Sequence, residues 1–281
     1  MYEVINTMNT NPMIIVRGGG DMATAVIHRL WRAGFRVLVL EADKPSAIRR
    51  QVAVSEAVYD GKATVEGMTA VRIDAPSQCE IIWSRGQVPL IVDPHAASID
   101  VMKPAVVVDA MIAKQNLGTH MAMAPLTIAL GPGFVAGSDV HAVIETMRGH
   151  DLGRIIYSGS AQPNTGVPGR IGGYAAERVI HAPYPGVIRH LHAIGDCVNQ
   201  GEPIAVISDA SGEYPVPASI PGLIRGLIRE GYTVPKGFKI ADIDPRMDEY
   251  ANCFTISDKA RCIAGSVLEL VCAHMNGSMS R

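Results

Sequence analysis

Two stretches of this chain repeat one another. Residues 182–207, APYPGVIRHLHAIGDCVNQGEPIAVI, align with residues 218–243, ASIPGLIRGLIREGYTVPKGFKIADI, at a constant offset of 36 without a gap, and 12 of the 26 paired positions are identical. Pro185/Pro221, Gly186/Gly222, Ile188/Ile224, Arg189/Arg225, Gly195/Gly231, Val198/Val234, Gly201/Gly237 and Ile204/Ile240 are among them. Each copy alternates apolar and polar residues and is punctuated by glycine, which is the pattern of short strands joined by tight turns. One such repeat cannot bury its apolar face alone. Two copies are therefore expected to pack face to face as a small two-fold β-sandwich, which sets residues 179–246 apart as a β-module.

The repeat resembles the lipoyl/biotinyl type of barrel-sandwich domain, in which PG-I…G-x-x-V-x-x-G-x-x-I recurs in each half. Domains of that type present a modifiable lysine in the hairpin between the halves. Here the connector, SDASGEYPVP (208–217), contains no lysine. The resemblance speaks for the fold and against a carrier role.

The rest of the chain is a different kind of sequence. At 281 residues it has room for two domains, or for one large domain with an appendage. Its formal net charge is −2, which argues against non-specific nucleic-acid binding. Hydrophobic residues make up 48% and charged residues 19%, a balance that excludes a disordered scaffold. Residues 1–12, MYEVINTMNTNP, lack a basic start and an apolar run. They suggest a disordered leader and a cytoplasmic protein. The uncharged stretch from Gln115 to Ser138 is broken by His120, Pro125, Pro132 and four glycines, so no membrane span is expected. The five cysteines form no C-x-x-C pair and suggest reduced, mostly buried thiols.

From Met13 the chain alternates β-branched runs with helix-length segments. The runs are MIIV (13–16), RVLVL (36–40), AVRI (70–73), PLIVD (89–93), AVVVD (105–109) and LTIAL (126–130). Continuous apolar strands of this kind belong to parallel sheets buried on both faces. Met22–Ala33 carries an apolar stripe at helical spacing and is followed by Gly34. The expected fold class is α/β: a Rossmann-like doubly wound parallel sheet over 13–178, then the duplicated module. Over 247–281 a helix, capped by Ser257 or Asp258 and ended by Asn276-Gly277, is expected to return to the α/β domain. Residues 139–147 are also expected to be helical.

The sharpest motif is RGGGDMAT at 17–24, between the first strand and the first helix. Gly18, Gly20 and Ala23 satisfy G-x-G-x-x-A, the spacing of a dinucleotide loop. There, glycines admit a pyrophosphate and the helix N-terminus offers free N–H groups. Gly18, Gly19, Gly20, Asp21, Met22 and Ala23 are thus the candidate cofactor contacts. Glu41, at the end of the second strand, is placed to bind ribose hydroxyls. Asp21 fits most simply as a helix cap, since a carboxylate repels a pyrophosphate. Asp74 and Asp93 are expected to act as caps ahead of proline. Asp109, Lys114 and Asn116, and a second glycine loop with Gly131, Gly133 and Phe134, are candidates for substrate or anion contact, a plain turn being the other reading. No nucleophile–base pair and no metal-ligand cluster can be named.

Taken together, RGGGDMATAVIHRLWRAGFRVLVLE (17–41), IRRQVAVSEAVYDG (48–61), IALGPGF (128–134), VIETMRGHDLGR (143–154), PNTGVPG (163–169) and DIDPR…TISDKARCIAG (242–265) resemble the YqeB family over nearly the whole chain. That resemblance implies a place in selenium-dependent molybdenum hydroxylase systems. The family's likeness to XdhC-type maturation proteins implies handling of the molybdenum cofactor, with a molybdopterin dinucleotide as ligand and the hydroxylase or other maturation proteins as partners. Two alternatives stay open, an NAD(P)-dependent oxidoreductase and a non-catalytic assembly module. The sequence leaves the oligomeric state open, a homo-oligomer included.

Overall fold

The computed structural model describes residues 12–167 and 169–278. All of the expected leader but Pro12 lies outside them. The chain divides into two compact units: one runs to Pro45 and takes in Val54–Asn164 and the chain from Ser257 on, while the other comprises Ser46–Ala53 and Thr165–Ile256. No helix among the described residues is long and apolar enough to cross a membrane.

In the first unit the elements in chain order are β1 (Met13–Arg17), α1 (Asp21–Arg32), β2 (Arg36–Glu41), α2 (Ala57–Asp60), β3 (Lys62–Val65), β4 (Met68–Ile73), α3 (Cys79–Ser84), β5 (Val88–Val92), α4 (Ser98–Met102), β6 (Val106–Asp109), β7 (Leu126–Leu130), β8 (Ala142–Ile144) and β9 (Ile155–Ile156), with α5 (Asp258–Met275) at the C-terminal end. The six apolar runs form β1, β2, β4, β5, β6 and β7. Their Val, Ile and Leu side chains suit a pleated surface covered on both sides. The strands join in the order β3-β4-β5-β2-β1-β6-β7-β8-β9. The seven inner strands are parallel, and β3 and β9 are antiparallel edges.

The expected class, a Rossmann-like doubly wound parallel sheet with a barrel-sandwich module, is corrected here. The sheet is large and mixed, and its crossovers are light: a single 3-10 turn (Met121–Met123) lies between β6 and β7, and no helix between β7 and β8. Residues 139–147 hold β8 instead of a helix. Val140, Val143 and Ile144 are wholly buried, and β-branched side chains that mimic one face of a helix are here the pleat of a strand. What stands is the α/β class.

Two helices carry most of the cover. α1 buries Ala23, Ala25, Val26, Ile27 and Leu30, and stops where Gly34 takes φ +88°. α5 begins with the Ala260 N–H donating to Ser257 Oγ at 3.3 Å. It buries Ala260, Ile263, Ala264, Val267, Leu270 and Val271, and packs on α1, β7 and β8.

The second unit contains β10 (Val179–His181), β11 (Gly186–His190), β12 (Cys197–Val198), β13 (Pro203–Asp209), β14 (Gly212–Pro217), β15 (Gly222–Leu227), β16 (Thr233–Val234) and β17 (Lys239–Asp244). The repeated residues occupy equivalent strands: β11 matches β15, β12 matches β16, and β13 matches β17. Yet each copy does not form a sheet of its own. The sheets run β10-β17-β15-β12 and β14-β13-β11-β16, so each copy lends its two-residue strand to the other's sheet. This replaces the expected copy-on-copy sandwich. The shared apolar positions Ile188/Ile224, Val198/Val234 and Ile204/Ile240 make the core. A Cβ on Gly186 or Gly222 would press on the carbonyl oxygens of Ser208 and Asp244, so both copies keep Pro-Gly. Of the cysteines, Cys79 and Cys253 are buried while Cys197, Cys262 and Cys272 are exposed, against the expectation of mostly buried thiols.

Candidate functional site

β1 lies between β2 and β6, and the strand order proceeds outward from it in both directions. At such a switch point the loops leaving the carboxyl ends of neighbouring strands diverge and open a crevice. The loop after β1 is the glycine motif, and its three glycines have different reasons to be glycine. Gly18 has φ +100°, and a Cβ there would stand 3.1 Å from the Met111 backbone. Gly19 is pressed by Ser55, whose N lies 3.0 Å from the place of a Cβ, and by Glu41 Oε2 at 3.3 Å. Both of these are required by the protein's own packing. Gly20 is not: nothing lies within 4 Å of a Cβ built on it.

Gly20 is also the N-cap of α1, with extended backbone and no side chain capping the helix. Its carbonyl accepts the Thr24 N–H at 2.8 Å. Asp21 does not reach back as the expected cap; its Oδ1 accepts the adjacent Met22 N–H at 3.0 Å. Met22 is half-buried and Ala23 fully buried against the sheet. The loop therefore leads through an open glycine into the first turn of α1, where Asp21 Oδ1 already takes the Met22 N–H.

Glu41 braces this loop. Its Oε2 accepts the Gly19 N–H at 2.6 Å and its Oε1 the Ala42 N–H at 2.7 Å. Burial pushes its carboxyl above the ordinary range, and the two N–H groups pull it part of the way back. The Gly19 N–H is thus engaged with the Glu41 side chain.

Asp109 stands opposite Arg17 in the register of β6 and β1. Its Oδ2 accepts the Thr119 hydroxyl at 2.5 Å and its Oδ1 the Met111 N–H at 3.2 Å. Arg17 Nη1 lies 3.8 Å from Oδ2, donates to Thr119 Oγ1, and Nη2 donates to the Leu117 carbonyl at 3.3 Å. All three side chains are buried. Burial raises the Asp109 carboxyl, opposed first by Thr119 and then by Arg17. Asn116 completes the turn: its Oδ1 accepts the Thr119 N–H and its Nδ2 donates to the Thr119 carbonyl, both at 2.8 Å. Asp109 and Asn116 thereby shape the 110–119 loop that lies against Gly18.

The other candidates divide. Lys114 is exposed, with φ +63°. A Cβ on Gly133 would lie 2.7 Å from the Gln115 N, and one on Gly131 would lie 2.6 Å from Thr146 Oγ1, so this second loop packs closely on its neighbours. Phe134 is core, clustered with Ala129, Ala136, Val140 and Val143. Asp93 caps the following turn through Ala97 and Ser98. At Asp74 the capping acceptor is instead Gln78 Oε1, which takes the Asp74 and Ala75 N–H groups.

Sequence reasoning passed over Lys259 and Glu145. Lys259, half-buried in the first turn of α5, has its amine pushed below the usual lysine range by burial and by Arg148, while Asp21, Glu145 and Asp258 act the other way. A lysine in the first turn of a helix opposes the helix dipole, and that misplacement was its only signal in the sequence. Glu145 is buried just after β8, its two oxygens accepting the Met147 and Gln162 N–H groups at 2.6 and 2.8 Å. Among the described residues no group of three or more His, Cys, Asp or Glu could hold a metal ion.

No family model matches this chain. A product-bound ectoine utilization protein EutE (DoeB) from Ruegeria pomeroyi covers 83% of this chain and 85% of its own at 10% identity, with a TM-score of 0.27. A succinylglutamate desuccinylase/aspartoacylase from Rhodobacter sphaeroides covers 85% and 87% at 12% identity, with a TM-score of 0.28. Likenesses of that size bring no activity, substrate or cofactor to this chain. The relative found by sequence is the uncharacterized protein YqeB of Escherichia coli (strain K12), 51% identical over 257 residues. The expected function, maturation of a selenium-dependent molybdenum hydroxylase, is overturned. The relative at 51% identity is described as uncharacterized, and its description gives no link to a molybdenum hydroxylase. The match takes in 92% of this chain and 47% of YqeB, so the chain spans about half the length of that relative. Over that span, the chain is a homologue of YqeB.

Proposed function

We propose that the first unit binds a phosphate-bearing ligand of the dinucleotide type, represented by NAD(P), with a phosphate seated on the first turn of α1. The observation that supports this best is Gly20. Two of the loop's glycines are accounted for by backbone that presses on them, and the third faces open space at an uncapped helix N-terminus. A helix N-terminus of this kind offers N–H donors and partial positive charge to an anion. The site lies at the switch point of the sheet, where ligands of open α/β sheets bind. Glu41 holds the loop in shape through the Gly19 and Ala42 N–H groups.

Calorimetric titration of the full chain with NAD+, NADP+ and ADP tests the reading. We expect one site per chain for at least one of them, and loss of that binding in Gly20→Val. Open space at Gly20 means that valine is accommodated in the ligand-free protein at the cost of a poorer helix cap, about 1 kcal/mol. Absence of binding by all three to the parent protein overturns the proposal.

A further inference from the structure

The segment 48–61 stands out in the sequence, and the nucleotide-loop reading gives it no role. In the structure its residues 54–56 form a short 3-10 turn held against the glycine loop. The Ser55 N–H donates to the Gly19 carbonyl at 2.9 Å. The same carbonyl accepts the Thr24 hydroxyl at 3.1 Å, and Thr24 Oγ1 accepts the Val54 N–H at 3.0 Å. Ser55 is therefore fixed beside the loop by three bonds, all through backbone or Thr24, with its Cα 3.2 Å from the place of a Cβ on Gly19.

None of those bonds uses the Ser55 hydroxyl. The residue is fully buried, and its Oγ has no hydrogen-bond partner. Buried hydroxyls are ordinarily paired, and an unpaired one is unfavourable for the folded chain. Alanine would fill the same space without that penalty. A serine held here, on a segment stapled to the loop, makes sense if its partner arrives with a ligand.

We propose that Ser55 is a ligand contact of the glycine-loop site, its hydroxyl donating a hydrogen bond to a phosphate oxygen of the bound nucleotide. This rests on the reading of that loop as a phosphate site. It adds to that reading a donor from a segment about 30 residues beyond the loop in sequence. The ligand class is thereby narrowed to one that brings a hydrogen-bond acceptor to the Ser55 hydroxyl as well as to the first turn of α1.

Ser55→Ala in the full chain separates a ligand contact from a structural hydroxyl, with NAD+, NADP+ and ADP as probes. Two quantities are measured: the unfolding midpoint of the ligand-free protein, and the probe affinity by calorimetry. We expect the midpoint to hold or rise, because an unpaired buried hydroxyl is removed, and the affinity to fall about ten-fold. Unchanged affinity in the variant, with the parent binding normally, overturns the Ser55 assignment and leaves the loop reading intact. A lower midpoint in the ligand-free variant also overturns it, since the hydroxyl would then have a partner within the protein. If the parent binds none of the three, the loop reading fails and the assignment falls with it.

Discussion

Replacing Glu41 by glutamine removes a buried charge and leaves one oxygen where two are in use. The carboxylate accepts backbone N–H groups at 2.6 and 2.7 Å, and hydrogen bonds to charged groups contribute ~1.5–3 kcal/mol each. Glutamine keeps one of these as a neutral bond at about half strength and turns its amide N–H2 toward the other N–H. Relief of the buried charge works the other way. The balance is a destabilisation of the first unit by about 1–3 kcal/mol near neutral pH. The pH dependence has a definite sign. Burial raises the folded Glu41 carboxyl above its unfolded value. Its favourable contribution is therefore fully present below the unfolded value and is lost as pH rises through the folded one. The gap between parent and Glu41→Gln should widen as pH falls from about 7.5 to about 5. Guanidinium unfolding followed by tryptophan fluorescence reads this directly, because both tryptophans, Trp31 and Trp83, lie in the first unit. Equal midpoints at both pH values, or a gap that narrows toward acid, would refute the reasoning.

Gly18→Ala should lower the same midpoint by about 2 kcal/mol or more, since φ is +100° and Met111 stands in the way; Gly20→Val should cost about 1 kcal/mol or less, a contrast read by denaturant titration. Thr119→Val takes a partner from both buried Asp109 and buried Arg17, and a loss of about 2–4 kcal/mol is expected from the same measurement. In the second unit, Gly186→Ala and Gly222→Ala should each destabilise by about 2 kcal/mol or more through equivalent clashes. Circular dichroism during denaturation would show if only one of the two positions matters.

The parts of the fold legible in the sequence are those set by local pattern. Six apolar runs became strands, and the apolar stripes of α1 and α5 became buried faces, because strand and helix periodicity are properties of neighbouring residues. Residues 139–147 failed for the same reason: a short β-branched run satisfies both periods, and its pairing with β7, not its own pattern, decides for strand. The exchange of β12 and β16 between the repeats is invisible in either copy. The glycine loop shows the limit most clearly. Spacing alone cannot separate Gly18, fixed by Met111 far along the chain, from Gly20, which nothing in the chain requires. Ser55 lies in a segment quoted only for the family resemblance, and tertiary hydrogen bonds bring that segment to the loop.

The claim that matters most is that a ligand phosphate lies on the first turn of α1. An amide NMR titration of isotope-labelled full chain with NAD+, NADP+ and ADP in turn locates it residue by residue. We expect saturable shifts concentrated at the N–H groups of Gly20, Asp21, Met22, Ala23 and Ser55, and their absence in Gly20→Val. Shifts confined to other parts of the chain, or none at millimolar ligand, would contradict it.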